Sequence, residues 1–160
     1  MPTIFLTGGS GFIGTHTCLT LLEANFNVIV IDSNINSKKI ALEKVVAINK
    51  LSSKNYIDRL FFVKGDIRDE KLLNEIFEKA KIKNMPIEAV IHLAGLKSVN
   101  ESITNPLAYW DTNVGGSIKL FRCMMKHDCN TLVFSSSATI YDPNVKGRIK
   151  ENNPRKPINP

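Results

Sequence analysis

The feature that most constrains the fold is a glycine-rich segment that directly follows an apolar run near the N-terminus. Residues 3–7 read Thr-Ile-Phe-Leu-Thr, and glycines follow at positions 8, 9, 11 and 14. The spacing fits both G-x-G-x-x-G and the looser G-x-x-G-x-x-G. Such glycines allow a tight turn after a strand, a close approach of the backbone to a pyrophosphate, and a helix whose first N–H groups face that anion. The segment therefore predicts a dinucleotide-binding strand–turn–helix unit.

Strand-like runs alternate with helix-like segments along the rest of the chain. The predicted strands are rich in β-branched and apolar residues and span Thr3–Thr7, Val28–Ile31, Leu60–Lys64, Ala89–Leu93 and Leu132–Ser135. The predicted helices span Phe12–Ala24, Lys38–Leu51, Glu70–Lys81 and Pro106–Lys126. This alternation predicts an α/β fold, a doubly wound parallel Rossmann sheet with strand order 3-2-1-4-5 that is covered on both faces. Ligands bind such sheets at the carboxyl ends of strands 1 and 4, where the strand order reverses.

Length and composition favour a single domain. The 160 residues are 43% hydrophobic and 22% charged, and no apolar run approaches the roughly 20 residues that span a bilayer. The net charge of +6 is carried by scattered lysines, a pattern typical of solvated helix faces rather than of a nucleic-acid surface. No basic leader is visible. We therefore expect a cytoplasmic protein without nucleic-acid or membrane partners.

Two features concern side chains inside the predicted helices and loops. Cys18, Cys123 and Cys129 follow no C-x-x-C spacing, so we predict free, mostly buried thiols in a reducing compartment, and no metal site. Asp69 precedes a run with helical spacing and is the expected N-cap of the third helix.

Asp32 ends the second predicted strand, 18 residues after Gly14. A carboxylate at this place accepts hydrogen bonds from ribose hydroxyls and repels a 2′-phosphate, which favours NAD over NADP. The alternative is an aspartate that only caps a turn or a helix. Lys38 and Lys39 follow closely and leave the phosphate preference open.

The loops after strands three, four and five carry further candidates with open roles. Asp66 either accepts from an adenine amino group, with Ile67 against the ring, or serves a turn. Lys97 either supplies charge to a ligand or is simply solvated. His92 lies inside a buried strand, where a hydrogen-bonded core histidine is favoured over a catalytic base. Ser137 either contacts a substrate hydroxyl or satisfies loop backbone.

Read in order, these segments resemble the UDP-glucose 4-epimerases of the extended short-chain dehydrogenase/reductase family. The matching segments are residues 8–16, Asp32 with residues 36–38, residues 65–68, 92–97 with 101–102, 113–116 and 135–141. Ala-Gly-Leu-Lys at 94–97 and Ser-Ser-Ser-Ala-Thr at 135–139 are far more specific than the glycine spacing. The resemblance covers essentially the whole chain.

The resemblance implies NAD-dependent interconversion of UDP-glucose and UDP-galactose through a 4-keto intermediate, as part of galactose metabolism. It implies cofactor contacts from Gly8, Gly11, Phe12, Ile13, Gly14, Asp32, Asn36, Ser37, Asp66, Ile67, Leu93, Ala94, Gly95, Lys97, Asn113 and Ser135. It further implies that Ser137 binds the reacting hydroxyl of a UDP-hexose.

One element of the family pattern, the Tyr-x-x-x-Lys motif of the general base, does not occur in these 160 residues. Val145 stands four residues after Tyr141, and Tyr56 and Tyr109 also lack the lysine. We therefore expect the N-terminal portion of an epimerase: an NAD-binding domain over residues 1–141 and a proline-rich loop over 142–160. Weakened NAD affinity, no turnover, and UDP-hexose binding only with the missing C-terminal part are expected.

The missing part also predicts exposed apolar surface. The fifth strand would lack a neighbour. Leu107, Trp110, Val114, Ile118 and Phe121 mark one face of the longest predicted helix, which resembles an incomplete dimer interface. Three alternatives remain open: a stand-alone NAD- or nucleotide-binding module, a degenerate product that associates with another chain, and a fragment of another nucleotide-sugar oxidoreductase or dehydratase.

Overall fold

The computed structural model describes residues 1–49 and 57–160. Within them a five-stranded parallel sheet has the order β3-β2-β1-β4-β5, which confirms the predicted topology. The strands are β1 Thr3–Thr7, β2 Asn27–Asp32, β3 Leu60–Lys64, β4 Ile87–His92 and β5 Thr131–Phe134. The helices are α1 Phe12–Glu23, α2 Ile40–Asn49, α3 Glu70–Ile82, α4 Val99–Thr104, α5 Pro106–Tyr109 and α6 Gly116–Lys126.

The long helix predicted over Pro106–Lys126 is interrupted. A π-helical turn, Trp110–Gly115, separates α5 from α6. Gly116 begins α6, and a Cβ there would lie 2.7 Å from Ile67 Cδ1, so the missing side chain lets the helix approach the loop after β3. The last residues of the predicted helix Lys38–Leu51, and Tyr56, lie outside the described residues.

The sequence prediction missed α4 because six residues are too few to show a helical period. A signal was nevertheless present, since Ser98 and Glu101 fit the capping pattern S-x-x-E. Ser98 Oγ accepts from the Glu101 N–H at 3.3 Å. Tyr109 completes the arrangement: its hydroxyl accepts from the Ser98 N–H at 3.0 Å and donates to Glu101 Oε2 at 3.1 Å.

The core consists of two apolar layers, one on each face of the sheet. Every residue of β1 and β2 is buried, as expected for parallel strands covered on both faces. That expectation is wrong for β3, which is half-buried, and for β5, which is exposed throughout. In β5 the cause is its place at the sheet edge, where it pairs with β4 alone among the described strands.

Apolar side chains face solvent on β5 and on the segment that contains α5 and the π-helical turn. Val133 and Phe134 are each 56% exposed, and Leu107 and Trp110 are 78% and 55% exposed. The prediction of a fifth strand without a neighbour on its outer side and of exposed apolar helix surface is confirmed among the described residues. Phe121 is the exception on that helix face, since it is half-buried against the core.

Several local predictions are confirmed. Asp69 caps α3, and its side chain accepts from the Leu72 N–H at 3.0 Å. The three cysteines are free and buried. Burial raises the pKa of Cys18 to about 12 and that of Cys123 to about 11, so these thiols are protonated core groups at neutral pH.

Residues 142–160 form no helix or ladder strand and return beside the 3₁₀ turn Ala138–Ile140. The Lys156 N–H donates to the Ile140 carbonyl at 2.9 Å, and the Asp142 N–H donates to the Pro154 carbonyl at 3.0 Å. None of the described helices is both long and apolar enough to cross a membrane.

Candidate functional site

A cleft of about 350 Å³ opens at the carboxyl ends of β1 to β4, where the strand order reverses. Nearly all of the predicted site residues line it, and the exceptions are Ser37, Asn113 and Ser137. Sequence reasoning missed further lining residues, namely Ile31, Ser33, Ile35, Gly65, Leu96 and Thr112. All of these are direct neighbours of predicted residues, Thr112 being next to Asn113, so adjacency to a predicted residue was the available signal.

The glycine turn forms the floor of the cleft. Gly8 has a φ of +69°, and its N–H donates to the Ile31 carbonyl at 2.8 Å. A Cβ on Gly14 would lie 2.4 Å from the Gly8 carbonyl oxygen, and one on Gly8 would lie 2.8 Å from the Ala94 nitrogen. Glycine is therefore required at both positions, because backbone occupies the space of a side chain.

Helix α1 points its first turn into this cleft. Gly11 is its N-cap residue, and no side chain caps the helix or places a carboxylate in its first turn. Phe12, Ile13 and Gly14 line the cleft, and the first N–H groups of a helix have no intrahelical acceptor. Together with the helix dipole, this end attracts an anion such as a pyrophosphate.

Asp32 connects the glycine turn to the loop after β2. Its Oδ2 accepts from the Ser10 N–H at 2.9 Å, while Oδ1 accepts from the Asn34 N–H at 2.9 Å and the Ser37 hydroxyl at 2.7 Å. Ser37 thus acts behind Asp32 rather than in the cleft. A carboxylate offers about four acceptor positions, so one position on Oδ2 remains for a ligand hydroxyl.

Asp66 is held by Arg68 on the opposite wall. Its carboxylate accepts from the Arg68 backbone N–H at 2.8 Å and pairs with the guanidinium at 2.7 Å. These bonds to Arg68 hold the pKa of Asp66 below its usual range. Arg68 also pairs with Asp111 of the π-helical turn at 2.7 Å. The turn function of Asp66 is thus present, while Asp69 caps the helix.

Buried polar groups support the wall formed by residues 93–97. Thr7 Oγ1 accepts from the Leu93 and Ala94 N–H groups at 3.2 and 3.1 Å and lies 2.6 Å from His92 Nδ1. His92 Nε2 lies 2.9 Å from Ser117 Oγ, whose hydroxyl donates to the Asn113 carbonyl. We call Thr7, His92, Ser117 and Asn113 the His92 relay.

The Asn113 side chain closes the relay onto the same wall. Its Oδ1 accepts from the Leu96 N–H at 2.7 Å, and its Nδ2 donates to the Leu96 carbonyl at 3.0 Å. Gly95 makes room for this amide, because a Cβ there would lie 3.0 Å from Asn113 Oδ1. Asn113 therefore supports the cleft from behind and does not line it.

His92 is a satisfied core histidine, as the sequence predicts. It is 2% exposed, and burial, with a smaller contribution from the Lys97 ammonium, lowers its pKa to about 4. Phe121 and Phe134 pack against its ring. A neutral ring that bonds at both nitrogens is unsuited to general-base chemistry in the cleft.

This histidine gives a pH-dependent stability. The unfolded chain protonates it near its ordinary pKa of 6.5, while the folded chain resists protonation down to about 4. The contribution of neutral His92 to the free energy of unfolding is complete above pH 6.5. It is lost as the pH falls to about 4, and the loss is about 3 kcal/mol in total. Urea denaturation at pH 7 and pH 4.5 should therefore show a steeper loss in wild type than in His92→Gln. Equal losses would contradict this protonation behaviour.

Ser137 stands apart from the cleft. It is exposed, its Oγ lies 2.7 Å from Thr139 Oγ1, and it accepts from the Thr139 N–H at 3.2 Å. The structure thus shows the loop-satisfying alternative for this serine. Its substrate contact stays a prediction.

Comparison with known proteins places this geometry in a family. The family model described as GDP-mannose 4,6 dehydratase matches residues 5–160. The chain belongs to this GDP-mannose 4,6-dehydratase family. The match extends over the glycine turn, the Asp32 loop and the Ala94–Lys97 wall, and it confirms the extended short-chain dehydrogenase/reductase fold.

Within this dehydratase family, the most similar relatives include UDP-glucose 4-epimerases, which confirms the resemblance. The chain is 43% identical to UDP-glucose 4-epimerase uge1 of Schizosaccharomyces pombe over 99% of its own length and 42% of that protein. It matches the Stenotrophomonas maltophila UDP-glucose-4-epimerase with bound NAD and formylated UDP-arabinopyranose at a TM-score of 0.85 and 33% identity, over 99% of this chain and 44% of that one. It also matches the Bifidobacterium longum UDP-glucose 4-epimerase in complex with NAD+ and UDP at a TM-score of 0.83 and 38% identity, over 96% and 42%. The chain thus spans about two fifths of the length of these relatives.

Proposed function

We propose that the chain binds NAD in this cleft and forms the NAD-binding part of a UDP-glucose 4-epimerase. The observation that carries the proposal is the cradle itself, a glycine turn with no space for side chains beneath an uncapped helix N-terminus. The buried Ser10 hydroxyl in this turn has no hydrogen-bond partner among the described residues. These groups suit a phosphate-bearing ligand.

Each wall suits one part of the dinucleotide. The first turn of α1 would receive the pyrophosphate, and the free position on Asp32 would accept from a ribose hydroxyl. Asp66 and Ile67 would border the adenine, while Lys97 and the small residues Ala94 and Gly95 would border the nicotinamide half. The negative charge of Asp32 disfavours a 2′-phosphate, so the cleft prefers NAD to NADP.

The chemistry proposed for the complete enzyme divides between cofactor and protein. NAD, when bound, accepts a hydride from carbon 4 of a UDP-hexose and returns it. Ser137 would bind the reacting hydroxyl once the rest of the substrate site is supplied. Among the described residues no tyrosine lines the cleft, and Tyr-x-x-x-Lys does not occur in the 160 residues. The polypeptide as it stands is therefore proposed to bind NAD without turnover.

Two measurements on the purified 160-residue chain test this proposal. NAD at ten times its dissociation constant should raise the melting temperature by about 3 to 6 °C, and NADP at the same concentration should raise it less. Incubation with UDP-galactose and NAD should yield no UDP-glucose. An unchanged melting temperature at millimolar NAD would refute NAD binding. Measurable interconversion of the two sugars would refute the proposal that the general base lies outside these 160 residues.

The domain proposed for NAD is 1–141, and 142–160 would lead into the catalytic segment. The partners proposed are NAD and, with the rest of an epimerase, a UDP-hexose in galactose metabolism in the cytoplasm, without nucleic acid or membrane. The exposed apolar side chains of Leu107, Trp110 and Val114 support a dimer interface that these residues form only in part.

The family match favours one alternative, a nucleotide-sugar dehydratase, because the matching model is described as a dehydratase. The cradle would serve the same NAD function there. We prefer the epimerase because several relatives that are more than 40% identical to the chain are UDP-glucose 4-epimerases. The residues supplied after this segment in the encoding gene would separate the two.

A further inference from the structure

The His92 relay connects two points on one cleft wall through the protein interior. It begins at the Leu93 and Ala94 N–H groups, which donate to Thr7 Oγ1, and it ends at Leu96, which the Asn113 amide holds at both N–H and carbonyl. Both ends of this hydrogen-bonded relay are therefore bonded to the backbone of the same wall. His92 and Ser117 are the middle members, and neither lines the cleft.

The donors and acceptors fix every proton in this chain. Thr7 Oγ1 has two lone pairs, and both face backbone N–H groups, the Leu93 N–H being shared with the Thr7 carbonyl. Its O–H therefore donates to His92 Nδ1 at 2.6 Å. Nδ1 then carries no hydrogen, and the neutral ring must carry its hydrogen on Nε2.

The other nitrogen of the His92 ring is a hydrogen-bond donor. Nε2–H donates to Ser117 Oγ at 2.9 Å, so the serine hydroxyl is free to donate onward. Its acceptor is the Asn113 backbone carbonyl, four residues earlier at the π-helical turn. All members except Asn113 are at most 7% exposed, so water does not readily replace a lost partner.

We propose that His92 and Ser117 are positioning residues for cofactor binding, which hold the Leu93–Lys97 wall in register through one histidine tautomer. The proposal rests on the proposed NAD function of the cleft. The position of this wall is tightly constrained, because the Ala94 nitrogen lies only 2.8 Å from where a Cβ on Gly8 would be. A shift of the wall would therefore disturb the glycine turn as well, although none of Thr7, His92 and Ser117 lines the cleft.

The first test pairs a disruptive with a conservative variant at Ser117. Ser117→Ala leaves the His92 Nε2–H without an acceptor and should raise the NAD dissociation constant about tenfold. Ser117→Thr keeps the hydroxyl and should stay within about twofold of wild type. Ser102→Ala is the matched control, since Ser102 is also a buried helix serine that donates to an earlier carbonyl, Val99 at 2.6 Å, outside the relay. It should leave NAD affinity unchanged.

The second test changes the ring. His92→Gln can accept from Thr7 and donate to Ser117, so it should retain most NAD affinity. His92→Phe offers neither group and should lose at least as much affinity as Ser117→Ala. A folded Phe variant that binds NAD like wild type would overturn the proposal.

A spectroscopic readout needs neither a variant nor a ligand. Nitrogen NMR of ¹⁵N-histidine-labelled chain at pH 7 should show His92 with hydrogen on Nε2 and a bare Nδ1. The opposite tautomer, or an average of both, would overturn the relay.

Loss of NAD binding in wild type would contradict the proposed function. Normal wild-type binding with equal affinity in Ser117→Ala would contradict the relay alone.

Discussion

Replacement of Gly14 by alanine is expected to remove NAD binding and to destabilise the chain. The added Cβ would lie 2.4 Å from the Gly8 carbonyl oxygen and 2.6 Å from Gly9 Cα, and backbone cannot rotate away as a flexible side chain can. We expect the free energy of unfolding to fall by about 3 kcal/mol, at the upper end of overpacking costs. The turn would open, and loss of N–H bonds to the pyrophosphate should weaken NAD binding about 100-fold or more.

Gly115→Ala is the control for this change. The nearest non-neighbouring atom to a Cβ at Gly115 is Asp111 Oδ1 at 3.5 Å, an ordinary contact. In a helical position alanine should leave stability unchanged or raise it by up to about 1 kcal/mol. Chemical denaturation and NAD titration of both variants provide the comparison. A Gly14→Ala chain as stable and as tight-binding as Gly115→Ala would contradict the close-packed turn.

Asp32→Ala is expected to have the second largest effect. The substitution removes the acceptor of the Ser10 N–H, the Asn34 N–H and the Ser37 hydroxyl, and thereby detaches the glycine turn from the loop after β2. Loss of these charge-assisted bonds should cost about 3 kcal/mol of stability, since water can reach some of the freed donors. NAD affinity should fall about 100-fold, and the preference for NAD over NADP should narrow because the repelling charge is gone.

Asp142→Ala separates this effect from a general loss of a turn aspartate. Asp142 likewise accepts a backbone N–H two residues on, from Asn144 at 2.9 Å, yet it lies outside the cleft. The control should keep wild-type affinity for NAD. An Asp32→Ala chain that keeps its discrimination between NAD and NADP would show that another group sets the cofactor preference.

The sequence was sufficient for the sheet and for most of the cleft because both depend on local patterns. Alternating strands and helices predicted the strand order, and the position of each loop after a strand placed Asp32, Asp66 and Lys97 at one edge. Burial of β1 and β2 followed from their continuous apolar runs. The predicted order 3-2-1-4-5 also placed β5 at the edge of the sheet.

What the sequence could not show are contacts between distant segments. Asp32 was predicted either to bind ribose or to serve a turn. The structure shows it holding two loops with one acceptor position free, an outcome that depends on how closely the Ser10 and Ser37 loops approach. Thr7 and Ser117 gave weaker signals, a threonine at a strand end and a serine on a buried helix face. Their connection through His92 spans 85 residues on one side.

Calorimetric titration of the 160-residue chain with NAD, and separately with NADP, tests the central claim most directly. We expect a single NAD site per chain and weaker binding of NADP. This site is formed by the glycine turn, the N-terminus of α1 and Asp32. Absence of NAD binding heat up to millimolar concentration, or equal affinity for the two dinucleotides, would contradict this expectation.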